Sequence, residues 1–372
     1  MQVVILGAGL IGNPMARDLA RARNIKVLVV DRDISRLQAL DSIEGIETRV
    51  ADATDLIVLK ELTADAEVVI NALPGFLGYQ TLKSLIELKR TVVDIAFFPE
   101  DALTLDSLAK ANGVTALVDC GVAPGMSNLL VGYAQSLLGT LEEVKIYVGG
   151  LPKVRQLPWE YKAVFSPVDV IEEYTRPARF KVDGKLVIKA PLTDPEFIDF
   201  PEVGTLEAFN SDGLRTLLKT IEAPNMVEKT LRYPGHREKI LFLKQSGLLE
   251  TTPIEIDGCK ISPLEVTCRA LFKEWELKAG DQDLTVMRIE AKNVTEGVRF
   301  DLLDYYDPET DIHSMARTTG FTATIMTLAL LNGMITQTGI IPLELLGSNH
   351  QLVNFVFEEF KKRGVHYQQS KI

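Results

Sequence analysis

The chain has 372 residues, enough for two domains that each bury a core of their own. It is 46% hydrophobic and 24% charged, a globular composition that argues against disorder as a description of the whole. Its formal net charge of −11 repels phosphate backbones, so we expect no nucleic acid among its partners.

Cysteine usage and apolar segments narrow the setting further. Cys120, Cys259 and Cys268 form an odd count without a C-x-x-C pair, which argues against a disulfide framework and against a zinc site. We therefore expect no metal and a cytoplasmic location. "MQVVILGAGL" lacks the basic start of a targeting segment, and "IMTLALLNGMI" is shorter than the roughly 20 residues of a bilayer span. The latter predicts a buried helix, and no membrane partner is expected.

Residues 1–123 alternate short apolar runs with segments of helical spacing. The predicted strands lie in "VVIL", "KVLVV", "IETRV", "EVVI", "TVVDI" and "TALVD". Such alternation builds βαβ units with right-handed crossovers. The sequence therefore predicts an α/β fold whose N-terminal domain is a Rossmann doubly wound parallel sheet.

The pattern changes after Pro124. "LEEVKIYVGG" reads as a long strand, and "ARFKVDGKLVIKA" and "LTVMRIEAKNVTEGVRFDLLDYYD" read as hairpins. Residues 124–313 are therefore predicted to form an α+β domain with a mixed or antiparallel sheet. Residues 314–372 are predicted to be helical and to return to the first domain, which makes the second an insertion.

A glycine motif lies between the first strand and the first helix. Gly7, Gly9 and Gly12 form G-x-G-x-x-G, with Leu10 and Ile11 inside it. The first glycine permits a tight turn, the second lets a pyrophosphate approach, and the third lets helix and strand pack closely. The helix N-terminus then presents N–H groups to the phosphates, which predicts a dinucleotide site.

An acidic residue ends the second predicted strand. Asp31 follows Gly12 at the distance where a carboxylate binds the adenosine ribose hydroxyls and repels a 2′-phosphate. The predicted cofactor is therefore NAD. Arg32 comes next and tolerates a phosphate, so NADP remains possible.

Further cofactor contacts are predicted after the third and fourth strands. Asp52 and Ala53 lie where adenine binds in such a fold, although Asp52 or Thr54 equally suits a helix N-cap. "NALPGF" follows the fourth strand, which places Asn71, Leu73 and Pro74 at the carboxyl edge of the sheet. An ordinary Pro-Gly turn explains that segment as well.

Two carboxylates end later strands at the same edge. Asp94 and Asp119 are expected near a nicotinamide, where either accepts a proton or binds an ammonium group. Capping of a loop or helix is the alternative. Cys120, beside Asp119, reads as a packing residue.

Polar residues of the second domain cluster in three segments. "LPWEYKAVFSP" contributes Tyr161 and Lys162. "FNSDGLRTL" reads as a helix start capped by Ser211 or Asp212, with Arg215 as a bidentate anchor for a substrate carboxylate or as a surface cation. "TLRYPGHREKI" contributes Arg232 and His236 as candidate substrate contacts around a turn.

Several of these segments together resemble the saccharopine dehydrogenase-like family, in order and over nearly the whole chain. They are the glycine loop, "VDCGVAPGMSN", "GGLP" with "WEYKAVFSP", "FNSDGLRTL", "TLRYPGH" and "MARTTGFTA". The lysine 6-dehydrogenases within that family are the most similar, especially at "TLRYPGH".

The resemblance implies an amine or amino-acid dehydrogenase acting on CH–NH or CH–NH2 donors. It implies NAD-dependent oxidative deamination of the ε-amino group of L-lysine to the 6-semialdehyde, which cyclises to a piperideine carboxylate. It also implies a homodimer formed through the substrate domain. His236 or Lys162 is then the base. Arg215 or Arg232 holds the α-carboxylate, and Asp94 or Asp119 holds an amino group.

Two other functions fit the same sequence. A saccharopine or carboxynorspermidine dehydrogenase acts on a secondary amine, and the arginines of the second domain do not exclude it. A non-catalytic NAD-binding regulatory protein needs no convergence of His236, Lys162 and Asp119 on the nicotinamide.

Overall fold

Two large β-sheets and twelve α-helices make up the computed structural model, which describes residues 1–164 and 167–372. The strands are β1 (Gln2–Leu6), β2 (Lys26–Asp31), β3 (Ile46–Val50), β4 (Val68–Asn71), β5 (Val92–Asp94), β6 (Thr115–Val118), β7 (Glu143–Pro152), β8 (Ala178–Val182), β9 (Lys185–Lys189), β10 (Glu196–Phe200), β11 (Gly204–Asn210), β12 (Asn225–Arg232), β13 (Ile254–Ile256), β14 (Cys259–Ile261), β15 (Asp283–Lys292), β16 (Gly297–Tyr305), β17 (Gly339–Pro342) and β18 (Tyr367–Lys371). The α-helices are α1 (Gly12–Ala20), α2 (Ile34–Leu37), α3 (Leu56–Leu62), α4 (Gly75–Glu87), α5 (Asp106–Asn112), α6 (Met126–Leu138), α7 (Pro167–Thr175), α8 (Leu217–Thr220), α9 (His236–Gln245), α10 (Pro263–Trp275), α11 (Ser314–Leu331) and α12 (His350–Lys362). Short 3-10 helices cover Ala102–Leu105 and Leu343–Leu346.

The first sheet is parallel and has seven strands in the order β17-β6-β5-β4-β1-β2-β3. Its central strands are buried along their whole length, as in β4 and β5, because helices cover both faces. Strands β2 and β3 follow one another outward on one side of β1, whereas β4, β5 and β6 follow one another outward on its other side. The direction in which strands are added therefore reverses between β3 and β4. That reversal opens a crevice at the carboxyl edge, where ligands of such folds bind.

The second sheet is mixed and has nine strands. Seven run in the order β10-β11-β12-β7-β15-β16-β18, while β8 pairs with β12 and β9. Only the β12–β7 pair is parallel among the pairings described for this sheet. The hairpins β8–β9 and β15–β16 match those predicted from alternation, and the α/β class with a mixed-sheet second unit is confirmed.

The C-terminal segment contributes to both sheets. Helix α11 packs against α1, where Gly320 faces Met15, and β17 extends the parallel sheet beside β6. Strand β18 instead pairs with β16 of the mixed sheet. The prediction that all of 314–372 returns to the first domain is therefore wrong for its last strand. The sequence "YQQSK" has no apolar alternation that would have indicated a strand.

The predicted helix start in "FNSDGLRTL" is also wrong. Residues 211–216 are not helical, and α8 begins only at Leu217 with Thr216 at its N-cap. Arg215 adopts a φ of 45°, a left-handed backbone that a right-handed helix cannot continue through. Asp212 instead accepts hydrogen bonds from the Arg179 guanidinium, at 2.8 Å from both Nε and Nη2.

The largest hydrophobic core is continuous between the two sheets. It joins β1 and β4 to β7 and β15 through the apolar helices α6 and α11. The buried helix predicted at "IMTLALLNGMI" is the C-terminal part of α11. No helix within the described ranges is both long and apolar enough to cross a bilayer.

Candidate functional site

A cavity of about 970 Å³ lies between the carboxyl edge of the parallel sheet and one face of the mixed sheet. One wall consists of the glycine loop and the segments that follow β2, β3, β4, β5 and β6. The opposite wall comes from β7, α7, the 211–213 loop and β12, and the start of α11 closes one side. A groove of this size that joins two structural units is a typical ligand site.

The glycine loop has the shape that a bound diphosphate requires. An added Cβ would lie 2.7 Å from Ala72 O at Gly7 and 1.9 Å from Gly7 O at Gly12, so neither position tolerates a side chain. At Gly9 the nearest atom is Nη1 of Arg36 at 3.9 Å, which leaves this stretch of backbone open toward the cavity. Helix α1 carries no acidic residue in its first turn and no side-chain cap within the described residues. Its N-terminal N–H groups therefore suit an anion.

Asp31 stands at the end of β2 in the same groove. Its carboxylate accepts hydrogen bonds from Ala8 N at 2.8 Å and from Asp33 N at 2.9 Å, which fixes its orientation. The Arg36 guanidinium lies 3.8 Å away, and Arg32 also lines the cavity. One acid and two arginines thus lie together at this end of the groove.

Asp52 and Ala53 line the cavity. The Asp52 carboxylate accepts from Thr54 N and Oγ1 at 2.9 and 2.6 Å, and these hydrogen bonds lower the pKa of Asp52. The helix cap considered for Asp52 or Thr54 belongs to Asp55, which accepts from Ile57 N and Val58 N. Asp52 is therefore a loop residue at the cavity wall.

Leu73 and Pro74 line the cavity, but Asn71 lies beneath it. Asn71 is fully buried and donates from Nδ2 to the Asp94 carboxylate at 2.6 Å. Asp94 is fully buried as well and also accepts from Ala96 N. Burial raises the pKa of Asp94 to about 8. Both residues lie under the floor of the cavity. The prediction that they face a ligand at the sheet edge is therefore wrong.

Asp119 faces the cavity, and Arg215 holds it there from behind. The Arg215 Nε donates to Asp119 at 2.8 Å, and its Nη1 donates to Phe98 O at 2.7 Å. The Arg215 side chain is 4% exposed and does not line the cavity. The predicted carboxylate anchor is thus a positioning residue for Asp119. Cys120 is fully buried, as a packing residue would be.

Lys162 and Tyr161 lie outside the cavity. The Lys162 ammonium donates to the carbonyls of Glu274 and Glu276 at 3.1 and 2.9 Å, so it fixes the end of α10. Tyr161 is buried, and its ring packs against Trp275 and under the Arg232 guanidinium, 4.6 Å from the ring centroid. The predicted roles of Lys162 as base and Tyr161 as substrate contact do not fit these positions.

Arg232 lines the cavity, and each guanidinium nitrogen already has a protein acceptor. Its Nε donates to Tyr174 Oη at 3.0 Å, its Nη2 to Glu173 at 2.6 Å and its Nη1 to Leu231 O at 2.9 Å. The side chain is 3% exposed. Arg232 is a fixed positive charge in the wall, aligned by Glu173 and Tyr174.

His236 is buried behind Arg232 and does not reach the cavity. Its Nδ1 lies 2.9 Å from Trp159 O, which only accepts, so Nδ1 carries the proton and donates. Nε2 then accepts from the Tyr174 hydroxyl at 3.0 Å. Burial, reinforced by the charge of Arg232, lowers the pKa of His236 to about 3. His236 is therefore a neutral positioning residue for Tyr174, and the prediction of a general base is wrong.

Known protein families match both halves of the chain. The model of the saccharopine dehydrogenase NADP-binding domain matches residues 3–117, and that of the saccharopine dehydrogenase C-terminal domain matches residues 121–365. The chain belongs to the saccharopine dehydrogenase family.

Relatives agree with this assignment. Saccharopine dehydrogenase (NADP(+), L-glutamate-forming) of Saccharomyces cerevisiae is 29% identical over 68% of this chain and 60% of its own length. Carboxyaminopropylagmatine dehydrogenase of Synechocystis is 21% identical over 92% of both chains. The sequence match thus spans about 60% of the yeast enzyme's length but nearly all of the cyanobacterial one's.

A solved structure shows the same fold. Apo saccharopine dehydrogenase (L-Glu forming) from Saccharomyces cerevisiae superposes with a TM-score of 0.82, covering 100% of this chain and 99% of that one at 21% identity. The Rossmann unit and the mixed sheet are therefore features of the saccharopine dehydrogenase fold.

Glu228, Arg176 and His313 are among the cavity residues that were not predicted. Glu228 lies on β12, where the alternation of Glu228, Thr230 and Arg232 puts three polar side chains on the face toward the cavity. That alternation was the signal in the sequence. Arg176 stacks on Phe97 at 4.6 Å, and its buried Nη1 has no hydrogen-bond partner among the residues described.

His313 is the histidine that lines the cavity. Its Nδ1 donates to the buried carboxylate of Asp283 at 3.2 Å, and this hydrogen bond raises the pKa of His313. Asp283 also accepts from Ser314 N and Met315 N, which fixes the start of α11. No short sequence pattern links Asp283 to His313, because the two lie 30 residues apart.

Proposed function

We propose that this chain is an NAD(P)-dependent dehydrogenase that removes the ε-amino group of L-lysine, giving the 6-semialdehyde, which cyclises to a piperideine carboxylate. The observation that carries the proposal is the charge of the wall facing the dinucleotide groove. Six acids and two arginines of the second unit line it: Asp169, Glu172, Glu173, Asp212, Glu228, Asp311, Arg176 and Arg232. Glu172, Glu173 and Asp212 are paired with arginines, and the further acidic groups of the wall favour a substrate with cationic nitrogen and few carboxylates.

The dinucleotide groove fits a nicotinamide cofactor. Gly9 leaves open backbone where a Cβ would project, and Gly7 and Gly12 shape the loop around it. Asp31 would hold the adenosine ribose, Asp52 and Ala53 would border the adenine, and Leu73 and Pro74 would lie toward the nicotinamide. Bound there, the nicotinamide supplies the acceptor for the hydride.

The second wall would hold the amino acid. Arg176 would place its positive charge toward the α-carboxylate, and its stacking on Phe97 orients the guanidinium plane. Arg232 adds a fixed positive charge. Of the four residues first considered as proton acceptors, only Asp119 lines the cavity, and Arg215 already neutralises its carboxylate.

A secondary amine is the alternative substrate. The names of the relatives support it, because they specify saccharopine and carboxyaminopropylagmatine. Saccharopine carries three carboxylates, whereas each arginine of the wall is already paired with a glutamate: Arg176 with Glu172 at 3.1 Å and Arg232 with Glu173 at 2.6 Å. That pairing favours lysine over saccharopine.

Reduction of NAD and NADP is the test, measured at alkaline pH with L-lysine, saccharopine, carboxyaminopropylagmatine and carboxynorspermidine as separate substrates. We expect turnover of L-lysine with release of ammonia, and a preference for NAD because Asp31 repels a 2′-phosphate. Turnover of saccharopine without turnover of lysine would contradict the proposal. Dinucleotide binding without oxidation of any amine would favour the regulatory protein.

We also propose a homodimer, as expected from the family resemblance. Sedimentation equilibrium of the purified chain should give twice the mass of 41.2 kDa. A monomer at micromolar concentration would contradict this part of the proposal.

A further inference from the structure

Glu228 occupies the middle of the polar face of β12. Strand residues two apart point to the same side, so Glu228, Thr230 and Arg232 all border the cavity. The neighbouring strand β7 contributes Gly149 and Gly150 to the same wall. A carboxyl group therefore stands in the wall that faces the dinucleotide groove.

Only one oxygen of the Glu228 carboxyl is engaged by the protein. Oε2 accepts from Ser211 Oγ at 2.8 Å and from Gly213 N at 3.0 Å. Oε1 receives no donor from any residue in 1–164 or 167–372, although the residue is only 5% exposed. Oε1 is not among the fully enclosed polar atoms that lack a partner, so it opens to the cavity, where a ligand can reach it.

The surrounding backbone is fitted to this carboxyl. A Cβ added to Gly213 would lie 2.4 Å from the Glu228 carboxyl carbon and 2.6 Å from Oε2. Gly213 therefore lets its own N–H approach Oε2. The contact holds the carboxyl in a single orientation, with Oε1 left for a ligand.

Among the described residues, Glu228 differs from the acids beside it in its ion pairing. Its acidic neighbours Glu173 and Asp212 are each paired, with Arg232 at 2.6 Å and with Arg179 at 2.8 Å. No ion pair reaches Glu228 in the part of the chain that the structure describes. Burial raises its pKa to about 8, and the charges of Glu173 and Asp212 add to the effect. Near pH 7 the ligand-free group therefore holds a proton.

We propose that Glu228 binds the cationic nitrogen of the substrate through Oε1 and accepts a proton from it. An ammonium group beside Oε1 favours the carboxylate, so the resident proton leaves to solvent on binding. The carboxylate then takes one N–H proton of the ammonium, which leaves the nitrogen lone pair unprotonated and the carboxyl neutral. The inference rests on the proposed amine oxidation and adds the residue that performs its proton step.

Asp119 also lines the cavity, but unlike Glu228 it already has a cationic partner. Its carboxylate is neutralised by Arg215 at 2.8 Å, so a positive charge is already in place beside it. Glu228 has space for a cation and an unengaged oxygen. The chemical class that fits is a primary or secondary amine that arrives protonated.

The first test is proton release on binding, measured by titration calorimetry in two buffers of different ionisation enthalpy at pH 7 with NADH present. The ligands are L-lysine and norleucine, which lacks the ε-nitrogen. With a pKa of about 8, wild-type protein should release about 0.9 proton per bound lysine and almost none per norleucine. Glu228→Gln should bind lysine at least about tenfold more weakly, without that release.

Glu228→Gln is expected to fold. Its amide oxygen can accept from Ser211 and Gly213 in place of Oε2, and its NH2 group then takes the position of Oε1. Glu222→Gln is the matched control, because it makes the same substitution at an exposed position outside the cavity. It should release protons like the wild type. His313 also titrates in the cavity, and the comparison of Glu228→Gln with the wild type separates its contribution.

The outcomes separate this inference from the choice of substrate. If the wild type binds saccharopine and not lysine, the lysine proposal fails, and the same comparison with saccharopine decides the role of Glu228. Equal proton release from the wild type and Glu228→Gln overturns the inference. So does binding of either amine to the wild type without release of a proton, or failure of both amines to bind.

Kinetics supply a second readout. With the amine that the wild type oxidises, Glu228→Gln should lower kcat/KM by about a hundredfold or more and remove the limb of the pH profile near pH 8. An unchanged limb would show that another group takes the proton.

Discussion

The His236 imidazole is fixed by two partners that leave it no room to act as a base. Trp159 O accepts from Nδ1, and the Tyr174 hydroxyl donates to Nε2 and in turn accepts from Arg232. We predict that His236→Ala lowers the free energy of unfolding by roughly 2–4 kcal/mol, because it leaves a cavity and an unpaired hydroxyl. Urea unfolding measures this loss.

His350→Ala is the matched control, since His350 is exposed and contacts only Ser136 and the Tyr133 ring among its described neighbours. It should change stability by no more than about 0.5–1 kcal/mol. If His236→Ala were as stable as the wild type and instead lost a limb of the kcat/KM pH profile, the assignment of His236 as a positioning residue would be wrong.

The Arg215–Asp119 pair offers a second prediction at the same scale. Both side chains are nearly inaccessible, at 4% and 3% exposure. Arg215→Ala leaves the Asp119 carboxylate buried and unpaired, so we expect a loss of about 3–5 kcal/mol in thermal or chemical unfolding. Lys219→Ala, which breaks an exposed pair with Asp101, should cost under about 1 kcal/mol. A raised KM with unchanged stability in Arg215→Ala would restore its predicted role as a substrate anchor.

The sequence predicted the position of single residues correctly where a motif fixes the backbone. It failed where the role of a side chain depends on whether the fold buries it. Gly7, Gly12 and Asp31 were predicted from spacing, and all three line the groove. His236 was misjudged because the groups that bury it, Trp159 and Tyr174, lie more than 60 positions earlier in the chain. Glu228 is recoverable from the alternation of β12, once that segment is recognised as a strand.

The glycine loop is the element on which the cofactor prediction depends. We predict that Gly12→Ala destabilises the fold, because its Cβ would lie 1.9 Å from Gly7 O. Gly9→Ala should fold normally, since only the flexible Arg36 side chain comes within 4 Å, yet it should weaken NADH binding by tenfold or more by blocking the approach of the pyrophosphate. Thermal unfolding and fluorescence titration with NADH separate the two effects. Equal NADH affinity of Gly9→Ala and the wild type would argue against a pyrophosphate at this loop.

Most elements were predictable because their signals are local. The strands of the parallel sheet are short apolar runs bounded by turns, and both long hairpins show alternation with turn residues between the strands. The polar strand β18 and the irregular segment 211–216 have no such signals. Their conformations are imposed by pairing with β16 and by the Arg215–Asp119 contact, both of which join distant parts of the chain.

At the level of the whole molecule, buried carboxyls set the response of stability to pH. Burial raises the pKa of both Asp94 and Glu228 to about 8, so each keeps a proton in the folded state that the unfolded chain has already lost. Their contribution to stability therefore falls as pH rises from about 4 through 8. His236, with its pKa lowered to about 3, acts oppositely, but only below its unfolded value of 6.5.

Between pH 6.5 and 8 the raised pKa values of Asp94 and Glu228 affect stability more than the lowered pKa of His236 does. We predict that the free energy of unfolding of the ligand-free protein falls over that range, by about 2 kcal/mol per pH unit. Urea unfolding at several pH values measures the slope. Asp94→Asn should reduce it, and Asp311→Asn, at an exposed site, should leave it unchanged. Rising stability between pH 6.5 and 8 would contradict the raised pKa values of these two groups.

The joining of the two sheets around one cavity was predictable only in outline. Alternation indicated a parallel and a mixed sheet, and the family resemblance implied that they face one another. The residues that meet in the cavity come from α7, β12 and the start of α11, far apart in sequence, so their contacts follow from the packing of α6 and α11 between the sheets.

A crystal structure of the protein with NADH and L-lysine tests the central claim most directly. The account predicts density for the dinucleotide against Gly7–Gly12 and Asp31, and for the ε-nitrogen within hydrogen-bond distance of Glu228 Oε1. Lysine bound with its ε-nitrogen away from Glu228, or a dinucleotide outside the glycine loop, would contradict the account.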